Sequence, residues 1–145
     1  MVVIDASVWV TADSADDIAR DACAAFLSSV LGQGLAIHQP TLTLVEVTAA
    51  VGRRTRDAVL AREAGTLVAS APGLELHDLD IAAAVDAAAV ATRTFLRGAD
   101  AVYAACALRT GSTLVTLDRE LLDRPPAGID VTTPTAWLER QDRPA

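Results

Sequence analysis

Four carboxylates stand in otherwise apolar stretches of this chain: Asp5 in VVIDAS, Glu46 in LTLVEVTAAV, Asp100 in LRGADAVYAACAL and Asp118 in TLVTLDREL. An unpaired charge in such surroundings is costly unless something offsets it. A hard divalent cation would offset all four together, because carboxylate oxygens suit Mg²⁺ or Mn²⁺. Taken singly, Asp5, Asp100 and Asp118 each read as well as a helix cap as they do as a ligand. Glu46 is harder to explain as structure alone. Leu42, Ala49 and Ala50 share its helical face, and Leu44, Val45, Val47 and Val51 cover most of the remainder, so its helix reads as buried all round. A buried glutamate needs a partner, and Arg53, seven residues on, is the alternative to a metal.

The elements that must position these acids alternate between short strands and helices. VVI (2–4) is a β-branched strand leading into Asp5, with Ser7 as a helix cap. The apolar spacing of Ala15, Ile18, Ala22, Ala25, Phe26 and Val30 predicts a helix over 14–31, capped by Ser14 and stopped by Gly32 and Gly34. LAIH (35–38) reads as a second strand. Helices follow over about 41–54 and 56–70, and LELH (74–77) reads as a third strand. Helices over 79–96 and 100–110 precede a fourth strand (113–117), a short helix (118–122) and a fifth strand (128–133). This alternation predicts a three-layer α/β/α domain with a central parallel sheet of four to five strands flanked by helices. Asp5 and Asp118 then follow the carboxyl ends of the first and fourth strands, where ligands of open parallel sheets bind. Asp100 starts a helix, where the macrodipole favours an anion.

Composition narrows the chemistry. A chain of 145 residues with 52% apolar content is long enough for one well-filled domain. We read residues 1–140 as that domain and 141–145 as a loose tail. All twelve basic residues are Arg, and there is no Lys. That excludes a phosphate-binding P-loop, which needs its Lys. Receiver-type and haloacid-type phosphotransfer folds also present acids at strand ends, but they too use a Lys. Cys23 and Cys106 lie in Ala-rich helical contexts without metal-type spacing and read as buried thiols. His38 and His77 end strands without a ligand-like neighbour and read as structural or surface groups. No apolar run reaches the roughly 18 residues of a membrane span, and no basic region precedes the apolar start, so the expectation is a cytoplasmic protein with no membrane partner.

Taken in order, these segments resemble the PIN-domain ribonucleases, and specifically the toxin component of VapBC-type toxin–antitoxin pairs. VVIDASVWV resembles the family's first strand, with its metal-binding Asp followed two residues later by Ser or Thr. TLTLVEVTAAVGR resembles the helix that carries the Glu. LRGADAVYAACAL resembles the R-G-x-D-A segment and TLVTLDREL the T-x-D-x-x-L segment, bearing the third and fourth acids. Tyr103 is a departure, standing where family members often carry His.

The resemblance implies a Mg²⁺- or Mn²⁺-dependent endoribonuclease that hydrolyses RNA phosphodiester bonds. Asp5, Asp100 and Asp118 would bind metal directly or through water, and Glu46 would bind metal or orient the attacking water. Ser7 and Thr116, two residues from Asp5 and Asp118, would hydrogen-bond the carboxylates or metal waters, or else stand as ordinary strand-end hydroxyls. The net charge of −7 is unusual for a nucleic-acid binder, although bound cations partly reverse the local field. Arg53 and Arg54 after the Glu46 helix, and Arg93 and Arg97 before Asp100, are the candidate contacts to RNA or antitoxin. They read equally as a solvated helix face. The resemblance also implies a small VapB-like antitoxin as partner, a toxin homodimer and a hetero-oligomer with the antitoxin. A PIN nuclease that matures RNA, or a non-catalytic PIN-like module that binds RNA or protein, are the competing readings.

Overall fold

The structure, a computed structural model, describes residues 1–15 and 17–141. The chain runs β1 (Val2–Ile4), α1 (Ala6–Ala12), α2 (Arg20–Gly32), β2 (Ile37–Pro40), α3 (Leu42–Thr55), α4 (Ala58–Ala69) and β3 (Leu74–His77). It continues through α5 (Ile81–Thr94), α6 (Gly98–Thr110), β4 (Thr113–Val115), α7 (Arg119–Asp123) and β5 (Val131–Thr132) to α8 (Pro134–Gln141). All strand pairs are parallel, in the order β3-β2-β1-β4-β5. Helices cover both faces, giving the three-layer α/β architecture expected. Val2, Val3, Ile4, Ile37, Leu114 and Val115 have no solvent exposure, as a sheet enclosed between helices requires. Phe26 of α2 meets Trp137 of α8 edge-to-face at 5.0 Å, joining the last helix to the core.

This strand order has one functional consequence. The chain builds β1, β2 and β3 outward to one side, then returns to lay β4 on the other side of β1. The switch point therefore lies between β1 and β4, where diverging connections leave a crevice beyond the carboxyl ends. Asp5 and the Thr116–Asp118 segment leave the sheet at that crevice, and the Asp5 N–H donates to the Val115 carbonyl at 2.9 Å.

Several expected elements take a different form. Of the helix expected over 14–31, only α2 forms, starting at Arg20, and α1 ends before that range at Ala12. Ser14 caps neither, and its hydroxyl donates to the Val10 carbonyl. Ile18, counted as core-facing, is fully exposed, so the apolar period ran across a turn. Ser7 lies inside α1, whose N-cap position belongs to Asp5. The second strand is 37–40 rather than 35–38. Its Pro40 is tolerated because β1 pairs with β2 only through Val2 and Ile37, so no ladder bond to β1 is lost there. Helix α8 was not anticipated, though Thr133 accepts from the Ala136 N–H and Pro134 fills the first helical position. Nor is α3 buried all round, since Val45 is 64% exposed and only Thr43, Val47 and Val51 are buried. Of the tail expected at 141–145, Gln141 closes α8 and the remainder lies outside the described residues.

Candidate active site

Asp5, Glu46, Asp100 and Asp118 line one open cleft at the β1–β4 switch point, together with Arg53 and Arg97. The four acids arrive from four elements. Asp5 ends β1, Glu46 projects from the second turn of α3, Asp100 lies in the first turn of α6, and Asp118 caps α7. Gln39 sets α3 against β1. Its fully buried amide donates to the Ile4 carbonyl at 2.8 Å and accepts from the Thr43 hydroxyl, one residue into α3.

Asp5 is only 6% exposed, and its Oδ2 accepts from Ser7 Oγ at 2.5 Å and from Thr116 Oγ1 at 2.7 Å. Both hydroxyls also accept backbone N–H groups, Ser7 from Leu117 and Thr116 from Asp118. Each hydroxyl proton is thereby committed to Asp5, and the hydrogen bonds lock the end of β1 to the end of β4. Thr116 thus serves Asp5 across the sheet rather than the carboxylate two residues along. Hydrogen bonds of this kind hold a carboxylate oriented.

Arg97 dominates the other wall. Its guanidinium pairs with Asp100 at 2.9 Å, with Asp118, and with Glu120 at 3.1 Å. These contacts raise the Arg97 pKa, led by the hydrogen bond to Asp100, so the cation is permanent. Asp118 also accepts the Glu120 N–H at 2.7 Å, capping α7. Burial pushes the Asp100 carboxyl above its usual range despite Arg97, with the nearby Asp118 and Asp5 charges adding to the effect. Glu46 is raised as well, first by burial; Asp5 and Asp100 add to this, and Tyr103 and Arg97 oppose it. Its Oε2 is out of contact with solvent and has no hydrogen-bond partner among the described residues. The fully buried Tyr103 hydroxyl sits beside Thr43 and Glu46 but completes no hydrogen bond of good geometry with either.

The sequence reading missed Glu120. Asp100, Asp118 and Glu120 bring one carboxylate oxygen each within 4.8 Å of one another, a spacing that could hold a metal ion. Its signal was the second acid of Leu117-Asp118-Arg119-Glu120. Of the four arginines singled out, Arg53 and Arg97 face the cleft. Arg54 instead turns to Asp13, the Val10 carbonyl and Ser14. Arg93 lies over α6 beside Asp86 and Arg109. Phe95, in a left-handed conformation at φ 57°, ends α5, so Arg93 lies in α5 and Arg97 at the N-cap of α6.

The model of the PIN domain family matches residues 2–126. No match was found among curated proteins. Among solved structures, the chain is similar to VapC20 of Mycobacterium tuberculosis, described as a sarcin-ricin loop cleaving toxin. The two share 13% identity at a TM-score of 0.70, over 90% of this chain and 99% of that one. It is also similar to VapBC2 of Rickettsia felis, solved bound to a promoter DNA fragment, with 16% identity, a TM-score of 0.69 and 92% and 98% covered. PAE2754 of Pyrobaculum aerophilum gives 24% identity and a TM-score of 0.69, with 96% and 87% covered. At these identities the likeness is one of fold.

Proposed function

The chain belongs to the PIN domain family, and on that premise we propose that it is a metal-dependent endoribonuclease acting as the toxin of a type II toxin–antitoxin pair. The observation that carries this reading is the convergence of Asp5, Glu46, Asp100 and Asp118 on one cleft, with Glu46 Oε2 buried and unpaired. An orphaned carboxylate oxygen among further carboxylates is the donor set of a hard cation. Asp5, Glu46, Asp100 and Asp118 fit Mg²⁺ or Mn²⁺, with Glu120 as a further ligand. Bound there, the cation supplies an acidified water and neutralises charge developing on the scissile phosphate.

The chain's own groups do the positioning. Ser7 and Thr116 hold Asp5 through its Oδ2, so its carboxylate would be oriented before a cation binds. Glu46, lining the same cleft, would bind the cation or orient the attacking water. Arg53 and Arg97 border the acids and can grip an RNA phosphate with paired N–H donors. An antitoxin that places a basic side chain among the carboxylates would silence the same site. The similar fold of VapBC2 supports that partnership, and the toxin homodimer is proposed from the family resemblance alone.

Partner-free protein should cleave structured RNA in Mg²⁺ or Mn²⁺, and EDTA, Asp5→Asn or Asp100→Asn should abolish cleavage. Expression should arrest growth, and co-expression of the adjacent antitoxin gene should restore it. Cleavage that persists unchanged in EDTA and in both variants would overturn the site, and cleavage without growth arrest would overturn the toxin role.

A further inference from the structure

At the sheet edge farthest from β5, the strand register assembles a second group of metal-ligating side chains. Parallel pairing sets His38 opposite Glu75 and Pro40 opposite His77. Residues two apart on a strand share a face, so His38, Glu75 and His77 project together. His38 Nδ1 lies 3.0 Å from His77 Nε2 and 3.5 Å from Glu75 Oε2. One donor atom from each of the three falls within 4.8 Å of the others. This corrects the expectation that neither histidine has a ligand-like neighbour. The group shares no lining residue with the carboxylate cleft.

We propose that His38, His77 and Glu75 form a binding site for a borderline transition-metal ion of the Zn²⁺ class, separate from the carboxylate cleft. Tetrahedral Zn²⁺ with metal–nitrogen bonds of about 2.0–2.1 Å needs donor atoms about 3.3 Å apart. The observed 3.0 and 3.5 Å lie on either side of that spacing, so small ring rotations suffice. A shared N–H explains the histidine pair but leaves Glu75 Oε2 unused beside the same nitrogen, in the place of a third ligand. Two imidazoles and one carboxylate are the donor set of open zinc sites, and imidazole selects against Mg²⁺.

The site is reachable from solvent. The Glu75 side chain is 62% exposed, which leaves a solvent-facing position for water as a fourth ligand, whereas His38 is only 10% exposed and held by the sheet. His77 is pushed toward the neutral form by burial first, then by His38 and Arg109, against Glu75. A neutral ring binds metal through its lone pair. A bound ion would tie the edge strand β3 to β2. It would also stiffen the step into α3, where the Thr41 N–H donates to the His77 carbonyl at 2.9 Å.

The test uses tag-free, metal-stripped full-length protein in excess Mg²⁺, titrated with Zn²⁺ by calorimetry and with Co²⁺ by visible absorption. One equivalent with a tetrahedral Co²⁺ spectrum is expected, retained in Asp100→Asn. His77→Gln should weaken binding by at least about 100-fold, more than the loss of an outer-shell partner costs. Glu75→Gln, at an exposed position that leaves the fold intact, should weaken it on the order of 10-fold. Zn²⁺ should raise the unfolding temperature of the wild type and not of His77→Gln. Zn²⁺ binding equal in wild type, His77→Gln and Glu75→Gln, or lost in Asp100→Asn instead, would overturn the site, as would no binding in the wild type.

Discussion

Replacing Glu46 by Gln separates the stability of the cleft from its function. In the metal-free protein, Glu46 Oε2 is buried without a partner, and its carboxyl is pushed up by burial and by the charges of Asp5 and Asp100. A buried polar atom left unpaired costs about 1–3 kcal/mol. Glutamine preserves the shape, removes the like charge and brings an amide that Asp5, Asp100 or the Tyr103 hydroxyl can accept from. Recovery of roughly 1–2 kcal/mol follows, since a neutral, hydrogen-bonded isostere commonly improves on a buried charge. For a domain of this size, each kcal/mol moves the unfolding midpoint by about 4 °C, so Glu46→Gln should melt roughly 4–8 °C above wild type in EDTA. Saturating Mg²⁺ should reverse that order. At 100 times its dissociation constant, a ligand specific to the folded state adds about 2.7 kcal/mol, which the variant largely forgoes. RNA cleavage in the same samples should fall by at least about 100-fold in the variant. The reasoning fails if Glu46→Gln melts below wild type in EDTA, or if Mg²⁺ stabilises both proteins equally.

Other consequences concern pH, charge and packing. Because the Glu46 and Asp100 carboxyls are raised in the folded state, the metal-free protein retains protons there that the unfolded chain gives up. Their contribution to stability is therefore full below the ordinary carboxylate range and lost as pH rises through the raised folded values. The melting-temperature gap between Glu46→Gln and wild type in EDTA should widen with pH, and a gap that closes would contradict the assignment. Arg97→Gln removes the cation shared by Asp100, Asp118 and Glu120, so calorimetry should show Mg²⁺ binding several-fold more tightly while the metal-free protein loses stability. Weaker Mg²⁺ binding would show that Arg97 is no counter-ion to the site. In the α3–α4 contact, a Cβ on Gly65 would overlap Thr48 Oγ1. Gly65→Ala should then cost about 1–3 kcal/mol despite its helix preference, and Thr48→Ala should restore the loss. An additive double-mutant cycle in denaturant unfolding would refute that contact.

What could be read in advance depended on whether a residue's partners lie within its own segment. Asp5 and Asp118 could be placed at one crevice in advance because a parallel sheet fixes where its strands end, although each also takes an N-cap position. Glu46 was legible as a charge in an apolar helix, even though that helix leaves Val45 in solvent. The arginines show where periodicity stops being informative. Helical spacing groups Arg93 with Arg97, but the left-handed turn at Phe95 puts them in different elements, and only Arg97 reaches the acids. Nothing within either segment encodes that break, because Phe is neither of the residues that usually adopt this conformation at a helix end. His38 and His77 failed to register for the same reason: their contact exists only once β2 and β3 are in register, thirty-nine residues apart. Glu120 is the most instructive omission. Two residues after an N-cap aspartate, an acid reads as a helix-start charge favoured by the macrodipole, and locally it is one. Only when Arg97 is brought to α7 does Glu120 become part of a three-acid clamp on a single cation. In the metal-free protein part of the cleft's negative charge is therefore offset by the chain's own arginine. On the proposed reading, a Mg²⁺ entering the cleft competes with that guanidinium for Asp100 and Asp118, so Arg97 sets part of the cation affinity.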